Sequence, residues 1–130
     1  MKRLLLLVHF LLAFSAGAAQ ARSDDDGGGG GEARVPATCA RGAAASLRLR
    51  GEDGAIEVRF RLRQGRGHGT WRIALVHERR VSARATRRTT RGGRSFELER
   101  TLPDLEGSDT VAVRAWGPGG LGCTATATLR

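Results

Sequence analysis

Apolar and polar residues alternate with a period of two through most of the chain beyond residue 45. The alternation falls into seven runs, at 46–50, 55–63, 70–78, 81–89, 95–102, 110–116 and 123–129. The second run is the clearest: Ile56, Val58, Phe60 and Leu62 point one way, and Glu57, Arg59, Arg61 and Arg63 the other. Trp71, Ile73 and Leu75 face the core in the third run, Phe96, Leu98 and Leu102 in the fifth, and Val111, Val113 and Ala115 in the sixth. The seventh sets Cys123, Ala125, Ala127 and Leu129 inward against Thr124, Thr126 and Thr128. The fourth, rich in Ser, Ala, Thr and Arg, reads as a short exposed edge strand whose charge discourages pairing with another chain. Turn residues separate the runs, among them Gly51-Glu52-Asp53-Gly54, the Gly65/Gly67/Gly69 loop, Gly92-Gly93, Pro103-Asp104 and Gly117-Pro118-Gly119-Gly120. No run keeps a helical period. The pattern predicts an all-β domain, a seven-stranded sandwich of two sheets.

The residues ahead of the first run carry a different signal. Lys2 and Arg3, the apolar stretch 4–14 and the small-x-small site Ala19-Gln20-Ala21 form the three parts of a signal peptide over 1–21. The apolar stretch is too short to cross a hydrocarbon core of about 30 Å as a helix. Membrane contact is therefore expected only before cleavage, and the mature protein is expected to be secreted, into the periplasm or the medium. Residues 22–38, with Asp24-Asp25-Asp26 followed by Gly27 to Gly31, read as a flexible acidic, Gly-rich linker, leaving 39–130 for the sandwich. The acidic triplet is contiguous, whereas calcium loops space their ligands along the chain.

From Arg22 onward the chain carries 20 arginines and 13 acids, and its one lysine, Lys2, leaves with the signal. So strong a preference for arginine, with abundant Ala and Gly, points to a GC-rich coding sequence. It weakens the usual reading of a high pI as a polyanion-binding footprint. A folded part of this size suffices for one core. On the two-sheet frame, outward Arg59 and Arg61 are expected opposite outward Glu97 and Glu99, a compensated exterior.

Leu102-Pro103-Asp104-Leu105-Glu106-Gly107, leading into Val111-Ala112-Val113-Arg114-Ala115 and a Gly-rich turn, resembles the latter half of a fibronectin type III or immunoglobulin-like domain. Gly69-Thr70-Trp71-Arg72-Ile73-Ala74-Leu75 is similar to the third strand of such domains, with its aromatic near the start. The layout also resembles small secreted bacterial proteins, which implies no activity. The resemblance implies an immunoglobulin-like sandwich. These domains often begin their sixth strand with a tyrosine that locks the preceding corner; this chain has no Tyr, and Asp109 stands near that place. In such a topology the first and last strands begin at the same end, so Cys39 and Cys123 are expected as one disulfide linking them. No C-x-x-C spacing supports a redox role.

Catalytic chemistry finds no constellation along the sequence. His68 lies in a Gly-rich loop and His77 ends the third run beside Glu78 and close to Ser82, next to Arg79 and Arg80, a poor setting for a buried base. No His/Cys/Asp/Glu spacing forms a metal site, and no cofactor is expected. Gly65-Arg66-Gly67-His68-Gly69 joins two strands, whereas a nucleotide fingerprint requires strand, loop and helix. The reading is non-enzymatic.

Two surfaces remain. The loops after the second, fourth and sixth runs gather Arg63, Arg66, His68, Arg91 and Arg94 with no acid among them, a candidate site for an anionic polymer of the cell envelope. A solvated loop end is the plainer alternative. The outer face of the third, sixth and seventh runs sets Ala74, Val76, Ala112 and Trp116 beside Arg72 and Arg114, a candidate interface with an extracellular protein, unless the linker covers Trp116. The expectation is a monomeric, secreted binding module with no specific nucleic-acid partner. A structural or inhibitor-like protein-interaction module built on the Trp116 face is the alternative.

Overall fold

Alternation becomes pairing in a computed structural model of the chain, which describes residues 31–130. The strands are β1 (Glu32–Pro36), β2 (Thr38–Cys39), β3 (Ala44–Glu52), β4 (Ala55–Arg63), β5 (Gly69–His77), β6 (Arg80–Thr89), β7 (Ser95–Pro103), β8 (Asp109–Trp116) and β9 (Gly122–Leu129). One 3-10 turn, Pro118–Gly120, joins β8 to β9. All seven alternating runs are strands, each within about two residues of its expected bounds. The signal peptide at 1–21 and the linker as far as residue 30 lie outside the described residues.

Two antiparallel sheets result, in the order β1-β3-β4-β7 (sheet I) and β2-β9-β8-β5-β6 (sheet II). Their inner faces carry the expected residues. In sheet I, Leu47 pairs with Phe60 and Phe60 with Leu98, while Ile56 pairs with Leu102. In sheet II, Ile73 pairs with Ala115, Leu75 with Val113, and Val113 with Ala125. Trp71, Phe60, Leu47, Leu49 and Ile56 have no solvent-exposed surface. Burying such side chains is worth about 1.5–3 kcal/mol each, so the core dominates stability.

The strand count is nine rather than seven, and the two extra strands come from the stretch read as linker. Only Ala33, Val35 and Ala37 alternate inward there, too short and too small a pattern to stand out, with Arg34 and Pro36 between them. In space this segment is a clasp. β1 completes sheet I beside β3, the chain crosses at Ala37, whose amide donates to the Ala45 carbonyl (2.8 Å), and β2 completes sheet II beside β9. It closes the flank of the sandwich on which β3 and β9 would otherwise be edges.

The disulfide is Cys39–Cys123 as expected, but it joins the second strand to the last, side by side within sheet II. It fastens the clasp. The fourth run, β6, is indeed an edge strand of sheet II; it is ten residues long rather than short because it pairs with β5 throughout. Its edge is protected by a bulge opposite Leu75/Val76 and by Arg87, which the register turns toward the core side opposite Trp71.

Replacing both cysteines, Cys39→Ala/Cys123→Ala, is expected to lower the unfolding free energy by about 4–5 kcal/mol on the chain-entropy account of so long a loop. Urea denaturation of the oxidised wild type and the variant measures it. A loss below about 1 kcal/mol would mean that the clasp holds without its fastening.

Candidate functional site

Four connections meet at one end of the sandwich: residues 40–43, 64–68, 90–94 and 117–121. What holds them is a buried polar knot built on strand residues that keep step with the core. Gln64 continues the inward series Phe60, Leu62, and Thr89 ends β6 on the inward side; both are buried. Trp71 Nε1 donates to Gln64 Oε1 (3.1 Å), and the Thr89 hydroxyl donates to the same oxygen. Gln64 Nε2 donates to the Arg66 carbonyl (3.1 Å), and the Gly69 amide donates to Thr89 Oγ1 (2.9 Å). Trp71 thereby has its N–H satisfied inside the core.

The same residues position the loops. The Gln64 amide donates to the Arg94 carbonyl (2.8 Å), and Arg94 Nη1 donates to the Gly65 carbonyl (3.0 Å), tying the 64–68 and 90–94 loops together. Gly117 lies flat on the indole, where a Cβ would come within 2.5 Å of Trp71 Cε2, so only glycine fits. Arg41 Nη1 donates to the Gly119 carbonyl (3.1 Å), which adds the 40–43 loop. Arg66, His68, Arg91 and Arg94 are therefore brought to one end, exposed, as expected. Arg41 joins them. The disulfide next to it in sequence holds it there, a placement the alternation pattern does not reveal.

Arg63 departs from that cluster. It is the last residue of β4, paired with Ala44 and Ser95, and opens onto the outer face of sheet I, where it shares a shallow groove of about 610 Å³ with Arg61 and Glu97.

The two outer faces differ in charge. On sheet I the expected pairs form: Arg59 Nη2 lies 2.7 Å from Glu99 Oε1, and Arg61 Nε donates to Glu97 Oε2 (2.6 Å). Arg59 Nε also sits 3.1 Å from Glu97 Oε1, at an angle that makes no hydrogen bond. The bond from Arg61, followed by the neighbouring Glu99 and the charges of both arginines, holds the Glu97 carboxyl below its usual range. Arg48 reaches Glu32 on β1 (2.9 Å). These exposed pairs contribute little to stability. Their effect is to neutralise the face.

Sheet II has no such pairing among the described residues. Its outer face presents Arg72 opposite Trp116 and Thr86, then Ala74 flanked by Arg84 and Arg114, then Val76 opposite Val81 and Ala112. Trp116 keeps 53 % of its surface exposed, while Val76 is half-buried. Arg72, Ala74, Arg84, Thr86 and Trp116 line a depression of about 530 Å³. Arg41, Arg66, Arg91 and Arg94 on the loops, and Arg72, Arg84 and Arg114 on the face, have no carboxylate partner among the described residues. Trp116 immediately precedes the 117–121 loop, so the two surfaces expected separately from the sequence adjoin.

No protein family, curated protein or solved structure matches this chain.

The opposite end is acidic and holds a cluster that residue spacing conceals. His77, Glu78 and Asp109 bring potential ligand atoms within 4.8 Å of one another, although Asp109 is far from the other two in sequence. Pairing of β5 with β8 creates the proximity. Each group is already engaged: His77 Nε2 donates to Asp109 Oδ1 (2.7 Å), the Leu105 amide donates to the same oxygen (3.2 Å), and Glu78 Oε1 accepts from the Thr110 amide (2.6 Å). Asp109 thus locks the β7–β8 corner. Burial pushes its carboxyl up, but hydrogen bonds from His77, Asp104 and the Leu105 amide outweigh burial and hold it below the usual range. The partner Asp104 is raised, first by its hydrogen bond to Asp109.

Two outcomes follow. Gln64→Leu leaves the Trp71 N–H and the Thr89 hydroxyl without their acceptor, an expected loss of about 1–3 kcal/mol by denaturant titration. A neutral result would show that the knot is dispensable. Because Asp109 titrates lower when folded, its stabilisation is complete above the unfolded value of about 3.9 and is lost as pH falls through the lower folded value. Stability measured between pH 6 and 2 is therefore expected to fall less steeply in Asp109→Asn than in wild type. Parallel curves would contradict this assignment.

Proposed function

We propose that this chain is an exported, non-enzymatic sandwich of the fibronectin type III or immunoglobulin-like kind that binds an anionic polymer at or near the cell envelope. The order β3-β4-β7 against β9-β8-β5-β6 supports the architectural part: three β-arches and three hairpin-type connections arrange the seven long strands in the fibronectin type III manner, with β1 and β2 added as a clasp. The disulfide fits an oxidising compartment. Among the described residues, no helix is long and apolar enough to cross a membrane.

The observation that carries the binding role is the partition of charge. If arginine were only a compositional habit, its side chains would meet carboxylates alike on every face. Instead Glu32, Glu57, Glu97 and Glu99 pair with Arg34, Arg48, Arg59 and Arg61 on sheet I, whereas among the described residues the arginines of the loop end and of the outer face of sheet II have no carboxylate partner. A surface of one sign held on rigid strands and tied loops attracts a polymer of the other sign. The buried His77–Asp109 pair is spent on the corner lock, in keeping with a non-enzymatic role.

A second reading, a protein interface on the sheet II face around Trp116, Arg72, Val76 and Arg114, is favoured by the exposure of Trp116. Ionic strength separates the two, because charge-driven binding is screened within about 8–10 Å at moderate salt and an aromatic contact is not.

Retention on heparin under a rising salt gradient tests the first reading. Among the described residues, the Arg66 and Arg91 side chains make no hydrogen bond that holds a loop, so Arg66→Glu/Arg91→Glu changes charge while sparing the scaffold. It is expected to elute at clearly lower salt than Arg80→Glu/Arg130→Glu, which changes the net charge equally at the other end. Coincident elution of the two variants would show diffuse charge and overturn the site.

A further inference from the structure

We infer that the outer face of sheet II is a platform for an acidic polysaccharide, with Trp116 under the flat face of a sugar ring and Arg72, Arg84 and Arg114 on its carboxylates. The inference rests on the proposed anionic-polymer role and specifies the polymer.

The face imposes three requirements on whatever covers it. The first comes from the arginines. Arg84 and Arg114 flank Ala74 in one row across β6, β5 and β8, and Arg72 lies in the next row, opposite Trp116. No carboxylate of the described residues reaches any of them. Adjacent strands lie about 4.8 Å apart, so the two flanking guanidinium stems start about 10 Å from one another. The occupant must bring repeated negative charges on that scale, and guanidinium matches carboxylate with two parallel hydrogen bonds.

The second comes from Trp116. An indole left half open beside the small side chain of Ala74 offers an apolar ring face and little other apolar area. A sugar ring presents a flat array of C–H groups that packs on the electron-rich face of an aromatic. A linear phosphate chain has no such face. A folded protein partner would want more apolar surface than one indole, the valines Val76 and Val81 and alanines provide.

The third is polar. Thr124 and Thr126 continue the face across β9, Arg114 opposite Thr124 and Ala112 opposite Thr126, and set hydroxyl groups where an occupant's own hydroxyls can pair. Polyuronates meet all three demands: a carboxylate on each ring, a C–H face and free hydroxyls.

The test uses the full secreted chain and follows tryptophan fluorescence while adding polygalacturonate, with dextran as the neutral control and single-stranded oligothymidylate as the anionic, stackable control. Trp71 is buried, so a change on binding reports Trp116. The expected result is saturable binding of polygalacturonate and none of dextran. Trp116→Ala should then bind about tenfold more weakly, as should Arg72→Ala/Arg114→Ala. Heparin retention without polygalacturonate binding, or polygalacturonate binding unaffected by Trp116→Ala, overturns the platform and leaves the loop-end role standing. Equal or tighter Trp116-dependent binding of oligothymidylate assigns the face to a nucleic acid and overturns it as well. Loss of both heparin and polygalacturonate binding in the wild type removes the underlying role itself.

Discussion

One indole N–H inside the sandwich needs an acceptor, and the way it is satisfied organises half of the molecule. Trp71 is wholly buried, packs against Phe96 and lies under Gly117, and its Nε1 donates to Gln64. Gln64 cannot leave that position without stranding a buried donor, at a cost of about 1–3 kcal/mol. Its backbone amide and side-chain amide then fix the carbonyls of Arg94 and Arg66. Three of the four loops of the basic end are thus held by the group that completes the core. Packing and the candidate binding surface are coupled through a single side chain.

The clasp acts on the other flank. β1 and β2 cover the edges of β3 and β9, and the Cys39–Cys123 bridge prevents them from peeling away. Arg41, just past the bridge, reaches Gly119 and so joins the fourth loop to the same end. On sheet I the clasp also delivers Glu32 to Arg48, extending the neutral face. Among the described residues, the loop arginines, then Trp116, then Arg72, Arg84 and Arg114 form a connected stretch with no carboxylate partner. The acids, rather than the arginines, are therefore shared unequally between the two faces, and that inequality carries the functional reading.

Much of this was legible before any coordinates, because period-two alternation is a direct record of which face is buried. The inward sets of β4, β5, β8 and β9 and the Arg59/Arg61 pairing with Glu97/Glu99 follow from it. Polar residues that keep step with the core face carry a second message that is easily passed over. Gln64 follows Phe60 and Leu62, His77 follows Ile73 and Leu75, and Asp109 precedes Val111 and Val113 in the same rhythm. Each sits where an apolar residue is expected, and each proves to be a buried hydrogen-bonding anchor. β1 and β2 were hidden for a different reason. Ala33, Val35 and Ala37 give too little alternation to outweigh the glycine run before them, and their pairing depends on long-range partners. The adjacency of Trp116 to the basic loops likewise depends on where the β8–β9 connection seats, which Trp71 decides.

Amide and side-chain NMR of the oxidised chain, titrated with a short galacturonate oligomer, would test the account most directly. Shifts concentrated at the Trp116 indole N–H and at the Nε–H groups of Arg72, Arg84 and Arg114, with Arg59 and Arg61 unmoved, are the result that charge partition predicts. Shifts centred on the sheet I arginines, or spread evenly over all guanidinium groups, would contradict it.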